Sequence, residues 1–433
     1  MTAVVAAGSG CSGSDLVEVD ESTTSTVAVA DGPGLDDAAL AGLRTTRSAA
    51  RDPGDLGERM RASDPEATDV AAGAAGYDAV VLAALAAEVA RSDAPGQIAA
   101  SLADVSRQGE ACTTFTRCRR LAEELTDLDY DGRSGGIQLL DNGDPGEATF
   151  QVAEVTRSGS RRVVDTTTVQ APALTTRPPT ADRLYGPGPD GALRVGTLLP
   201  VTGPAAVAGR SALAGVRLAV ADIDGDRGVL GAPVELVADE SGDGSVEATK
   251  AAVQRLIDQG VDVVVGGATE AIDAVAIGPL TDAGILMISP TDRNRFLSAL
   301  PDRGLFHRVV PSEELEVQVL GRLVGDDGSV RVAIVLADSD EGENRANDLN
   351  ASLNSVGAEV TALAVVGAET DVAGAVDRVV GADAQAVVVL TPPEISGPVL
   401  RELVRRGQGP ATVPTYALSS SVDDAVVAFV GDG

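Results

Sequence analysis

The chain has no tryptophan, one histidine and one lysine, and aromatics make up only 2% of it. Without aromatic bulk, its cores must be built from Ala, Val, Leu and Ile, which dominate an apolar fraction of 44%. Lys250 is the single lysine, so arginine carries the positive charge. A GC-rich genome accounts for that bias, with salt adaptation as the alternative. Cys112, Cys118 and the distant His307 fall short of the four ligands of a structural zinc site. No run of 18 or more apolar residues occurs, so no membrane-spanning helix is expected.

Positive charge is scarce as well. Lys and Arg number 33 against 65 Asp and Glu, a formal net charge of −32. Such a surface repels phosphate backbones and anionic lipid, which argues against nucleic-acid binding. Nucleotide motifs are also missing. The turn TGPAAVAGRSALAG after the first strand of the later block lacks the Gly-x-Gly-x-x-Gly spacing that lets backbone approach a pyrophosphate. No Gly-x-x-x-x-Gly-Lys-Ser/Thr occurs. His307 falls in a predicted strand beside Arg308 with no nucleophile placed near it, so a structural role is expected rather than a general base. The acid pairs Asp36-Asp37 and Asp423-Asp424 read as solvated turn or cap residues. No enzyme, cofactor or metal is expected.

With 433 residues the chain is long enough for two or three domains. Its opening, MTAVVAAGSGC, has the small residues Gly8, Ser9 and Gly10 before Cys11, then a polar tract. This reads as a lipoprotein signal remnant with Cys11 lipidated, if the true start lies upstream. The alternative is a disordered N-terminus with a free thiol. Residues 1–35 form this remnant and a Ser/Thr/Asp/Gly-rich tether. In an exported chain, Cys112 and Cys118, six positions apart, read as one small disulfide loop. A second break spans 158–193, where five prolines predict an extended linker. Two structured blocks remain, 36–157 and 194–433.

The later block alternates strands and helices. Val195–Pro200, Pro233–Val237, Val261–Val265 and Ile285–Ser289 are apolar strand runs. Between them Leu213, Val216, Val220 and Ile223 recur at helical spacing, and Ser245 caps a helix ended by Gly260. The pattern restarts at Ser312, with strands at Val330–Leu336, Glu359–Val366, Ala386–Leu390 and Pro414–Leu418 and helices near 372–380, 395–406 and 422–430. This predicts an α/β fold of two lobes, 194–310 and 311–433, with parallel doubly wound sheets. The second sheet reads as unfinished.

LRVGTLLPVTGPAAVAGRSALAGVRLAVADID, GVLGAPVELVADESGD and VVVGGATEAIDAVAIGPLTDAGILMISP together resemble the N-terminal lobe of a type I periplasmic solute-binding protein. The likeness is to the Leu/Ile/Val-binding branch that serves ABC importers. The earlier block resembles the closing part of the same family. GYDAVVLAALAAEVA resembles the long helix returning to the first lobe. Tyr130-Asp131-Gly132 with Ser134-Gly135-Gly136-Ile137 resembles a stretch near the family's C-terminus. Asn142-Gly143-Asp144 follows as a hairpin turn before the strand Thr149–Val155. Ala39–Thr45 resembles the strand that should follow the helix at 422–430. The resemblance therefore implies two Rossmann-like lobes built from segments in circularly permuted order, with 36–157 completing both lobes. A misassembled gene or two fused fragments would yield the same pieces.

The resemblance also implies an interlobe ligand cleft with hinge closure. Thr269, Glu270, Thr291 and Arg293 fall at its first-lobe ligand positions, and Thr391 and Ser419 at second-lobe ones. Glu270 and Arg293 either pair with each other, hold a zwitterionic or polar ligand, or stay solvated at the rim. Ala208 stands where an aromatic is common, so apolar rings would be gripped weakly. The expected function is an extracytoplasmic, lipid-anchored or secreted solute-binding component of an ABC-type importer. Its partners would be a small polar or amino-acid-like solute and a permease, with membrane contact only through the anchor. The alternative is a sensor or interaction module that kept the fold and lost the ligand.

Overall fold

A computed structural model describes residues 38–48, 54–171, 185–240, 242–367, 371–422 and 426. The earlier block runs β1 (Arg44–Ser48), α1 (Leu56–Ser63), α2 (Val70–Ala90), α3 (Pro95–Ser101), β2 (Glu110–Cys112), α4 (Phe115–Glu123), β3 (Leu128–Tyr130) and β4 (Glu147–Val155), and β5 (Arg161–Gln170) follows it. The later block opens with β6 (Arg194–Leu199), α5 (Ala206–Asp224), β7 (Glu235–Glu240), α6 (Val246–Asp258), β8 (Val263–Gly266), α7 (Glu270–Asp282), β9 (Leu286–Ser289) and β10 (Phe306–Arg308). It continues through α8 (Glu313–Asp326), β11 (Arg331–Ala337), α9 (Asp340–Ser355), β12 (Glu359–Val366), α10 (Val372–Val380), β13 (Ala386–Leu390), α11 (Pro393–Arg405) and β14 (Thr415–Leu418).

The apolar, β-branched runs form two sheets with helices on both faces, as expected when a strand must be covered on each side. One sheet has the order β10-β9-β8-β6-β7 and is parallel throughout. The other has the order β12-β11-β13-β14-β1-β4-β5. It is parallel from β12 to β1, then antiparallel through β4 and β5. Of the last three strands of this sheet, β1 and β4 come from the earlier block and β5 from the stretch just after it. Arg44, Thr45 and Thr46 lie beside Tyr416, Ala417 and Leu418.

The earlier block also enters the first lobe. Helix α2 is long and apolar enough to cross a membrane by length and composition. Here its residues from Ala72 to Ala87 are buried, packed in one core with β6, β8, β9 and α5. Small residues let α2 and α5 approach closely. A Cβ on Gly76 would lie 2.3 Å from the Ala212 carbonyl oxygen, and one on Gly215 would lie 1.9 Å from that of Gly73. In the second lobe, Leu40, Leu43 and Val155 share a core with β11, β13 and α11.

Cys112 and Cys118 form a disulfide, Cα atoms 5.4 Å apart, across the start of α4. Asn142-Gly143-Asp144 makes a turn at an isolated antiparallel bridge between Leu139 and Pro145. The turn docks on β10, where Arg308 N donates to the Gly143 carbonyl at 2.9 Å. The Arg308 side chain, wholly buried, lies 2.7 Å from Asp144.

The structure corrects two boundaries. The stretch 158–193 is not linker throughout, because Arg161–Gln170 is β5, paired along β4. Its β-branched Val163, Val164 and Thr166–Thr168 precede the first proline, Pro172, so nothing blocks a strand there. Near the other end, Asp190, Gly191 and Ala192 donate backbone N–H groups to Asp93 at 3.2, 2.7 and 2.9 Å, tying this stretch to the first lobe. The predicted strand Ala39–Thr45 starts instead at Arg44, after a turn through Gly42 at φ +93°. Residues 1–35 with Cys11, Asp36-Asp37, Asp423-Asp424 and the middle of the break, 172–184, lie outside the described residues. So does the helix at 422–430, apart from Val422 and Val426.

Candidate functional site

Between the two sheets lies a cleft of 800 Å³. Parallel strands bring their carboxyl ends and following loops to it, the usual place for a ligand in doubly wound sheets. The first-lobe wall contains Ala268 after β8 and Pro290, Thr291 and Arg293 after β9. The second-lobe wall contains Arg47 and Ser48 of β1, Thr149 and Gln151 of β4, and Ser419 after β14. The crossings between lobes contribute Ser134–Gly136 and Val309–Pro311, and the N-terminus of α2 closes one side.

Arg293 is held from several directions. Its Nη1 lies 2.5 Å from Glu316 Oε2, its Nε donates to the Pro311 carbonyl at 3.3 Å, and its guanidinium carbon lies 5.9 Å from the centre of the Phe150 ring. Nη2 is buried without a hydrogen-bond partner. Glu316 is wholly buried on α8. Its Oε1 accepts from Thr46 Oγ1 at 2.8 Å and lies 3.4 Å from Ser419 N. A first-lobe arginine is thus joined to a second-lobe carboxylate, and the Glu313 backbone N–H adds a bond to the Arg293 carbonyl at 2.9 Å.

Arg47, on the exposed side, donates through Nε and Nη2 to Gln151 Oε1 at 3.2 and 2.8 Å. Asp69 caps α2, its Oδ1 accepting from Ala71 N and Ala72 N at 3.0 Å each. Asp78, wholly buried on α2, fixes the crossing loop. It accepts from the Tyr130 hydroxyl at 2.7 Å, Arg133 N at 2.9 Å, Ser134 N at 2.7 Å and Ser134 Oγ at 2.6 Å. Burial raises its carboxyl above the ordinary range even against these four donors. Behind the first-lobe wall, burial and the neighbouring Asp292 push the Asp273 carboxyl well above that range.

Of the residues singled out from sequence, Thr291, Arg293 and Ser419 line the cleft. Thr269, Glu270 and Thr391 are not among its lining. Thr269 caps α7 through Ile272 N at 3.4 Å, and Glu270 is exposed in that helix's first turn. Thr391 is wholly buried and shares a 2.7 Å hydrogen bond with Ser396 of α11. Arg293 has Glu316 as its carboxylate partner rather than Glu270. Sequence reasoning missed Arg47, Gln151, Asp69, Asp78 and Glu316. Two of them carried a signal. Asp78 is an acid deep inside an apolar helical run, and Glu316 sits three and four positions before Val319 and Leu320, on the apolar face of α8. Arg47 and Gln151 carried none.

His307 is nearly buried in β10, and burial pushes its imidazole down to about 4, with Asp144 pulling the other way. Among the described residues, no group of three or more His, Cys, Asp or Glu is placed to hold a metal.

Two α/β lobes flank a cleft lined by polar and apolar groups alike. The family described as "Periplasmic binding protein" matches residues 192–432, and the one described as "Receptor family ligand binding region" matches residues 19–158. The chain belongs to the periplasmic binding proteins, whose members bind solutes and are not enzymes. It is 29% identical over 172 residues to the Leu/Ile/Val-binding protein BraC3 of Rhizobium johnstonii, which covers 38% of this chain and 45% of that protein. The chain thus spans less than half the length of this curated relative. Among solved structures it is similar to an ABC transporter substrate-binding protein from Sphaerobacter thermophilus, with a TM-score of 0.47, 22% identity, and coverage of 56% of this chain and 66% of that one. It is also similar to a solute-binding protein of an ABC transporter from Rhodopseudomonas palustris, in complex with 3,4-dihydroxy benzoic acid. There the TM-score is 0.43 at 19% identity, covering 54% of this chain and 63% of that one.

Proposed function

We propose that this chain is the extracytoplasmic solute-binding component of an ABC-type importer, holding a small polar or amino-acid-like solute between its lobes and passing it to a permease. The observation that carries this reading is the open 800 Å³ cleft at the carboxyl ends of the parallel strands, lined by hydroxyl, amide and guanidinium groups from both lobes. A module that had lost its ligand would fill that space with its own side chains. Anchoring through a lipidated Cys11 belongs to the same proposal.

The segments run in circularly permuted order in this reading, with the earlier block finishing what the later block begins. Support comes from the parallel seam between β1 and β14, the shared core of α2 and α5, and the separate family matches of the two blocks. Thermal-shift screening of the full chain with amino acids, small amides, carboxylates and sugars tests the solute-binding function. A ligand that binds only the native state raises the melting temperature. Flat melting with every compound would favour the ligand-free module.

A further inference from the structure

The charges around the cleft are unequal in what they leave available. Among the described residues its charged lining consists of Arg47, Arg293 and Asp69. Asp69 faces the amide end of its own helix and accepts from two backbone N–H groups there, so its charge is already offset. The next acid, Glu316, is wholly buried and engaged by Thr46 and Arg293. It holds Arg293 in place and offers nothing to the open space.

The donors are less committed. Arg47 bonds only a neutral amide, Gln151, and has no carboxylate partner among the described residues. Arg293 Nη2 and Ser48 Oγ have no hydrogen-bond partner, but both atoms are buried and closed to the open space. An uncompensated guanidinium favours a planar anionic partner. An ammonium entering the same space would lose water and find only the Asp69 carboxylate, whose charge the amide end of α2 already draws on.

We propose that the cleft selects carboxylates that carry no ammonium group over amino acids with the same carbon skeleton. This rests on the solute-binding reading of the cleft and narrows it to anions. Arg47 supplies the uncompensated charge, on the second-lobe wall.

The test is calorimetric titration of the full chain with matched pairs: valine and 3-methylbutanoate, leucine and 4-methylpentanoate, aspartate and succinate, glutamate and glutarate. In every pair that binds, the member without the ammonium is expected to bind tighter by about tenfold or more. Arg47→Gln, a change at an exposed position, is expected to weaken that member by about tenfold. Equal or tighter binding of the amino acids overturns the selectivity, as does carboxylate affinity unmoved by Arg47→Gln, or binding of a neutral solute where no carboxylate binds. In each of those cases a bound solute still supports the binding-protein reading. Silence from the pairs, amides and sugars alike removes that reading and this one with it.

Discussion

Arg44 and Tyr416 stand side by side in parallel register and share one acceptor, the Asp327 carboxylate. Arg44 Nη1 donates to its Oδ2 at 2.5 Å, and the Tyr416 hydroxyl donates to the same oxygen. One residue comes from near the start of the chain and the other from near its end. Around this pair the first strand of the earlier block closes against the last described strand of the later one. This seam has a counterpart in the other lobe.

The counterpart is the approach of α2 to α5, where Gly215 lies against the Gly73 carbonyl. A methyl group has no room there, and overpacking forces the two helices apart. Gly215→Ala is expected to destabilise the whole protein by about 1–3 kcal/mol. Denaturant melts read this as a lower midpoint. An unchanged midpoint would mean that the two helices do not pack as described.

Glu316→Gln tests the bridge between lobes. The amide keeps an acceptor for Thr46 but leaves Arg293 without its counter-charge. Arg293 is partly exposed, its side chain at 22% of full accessibility, so solvent softens the loss. The expected cost is about 1–3 kcal/mol, below that of breaking a fully buried pair. A variant as stable as the parent in thermal melts would show that the bridge does no work in the ligand-free protein.

Much of this arrangement was legible in the sequence, and the reasons are physical. Continuous β-branched runs such as Ala386–Leu390 read as buried strands, and the strand at Glu359–Val366 and the helix near 372–380 lie where the sequence pattern put them. The strand β5 was not legible, because five downstream prolines coloured a stretch whose own residues favour a strand. The cleft was half legible. Thr291, Arg293 and Ser419 follow strands and so reach the carboxyl-end rim. Arg47 and Gln151 meet only because β1 and β4 pair, with Arg47 directly opposite Gln151, and no local pattern announces that pairing.

Asp262 gives a pH signature. Burial raises its carboxyl to about 7, against the lowering effect of the Arg194 backbone N–H at 2.8 Å. The folded state therefore holds this proton more tightly than the unfolded state, where it leaves near about 4. Stability from this group is full below about 4 and is lost as pH rises towards 7. Asp262→Asn keeps an acceptor and removes the titration. Relative to the parent, the variant should gain about 1–2 kcal/mol between acid and neutral pH. A parent–variant difference that stays flat over this range contradicts the assignment.

His307 is the single histidine, so its imidazole C–H resonances are unambiguous in a proton spectrum. Burial holds the ring neutral, with its titration moved down to about 4. Its shifts should stay constant from about pH 8 to 5.5 and move only in more acid solution. The depressed value also means that stability from this group is present above about 6.5 and is lost as pH falls towards 4. Titration near the ordinary value would place the ring in water rather than under the Asn142–Asp144 turn.

The most direct test of the shared architecture is to cut the chain once, at a protease site inserted between Pro172 and Leu184, and to follow the two pieces without denaturant. Both lobes draw on both pieces, so the cut protein should elute as one particle of unchanged size and melt in a single transition. Two separable species, each with its own melting transition, would show that the earlier and later blocks are independent bodies.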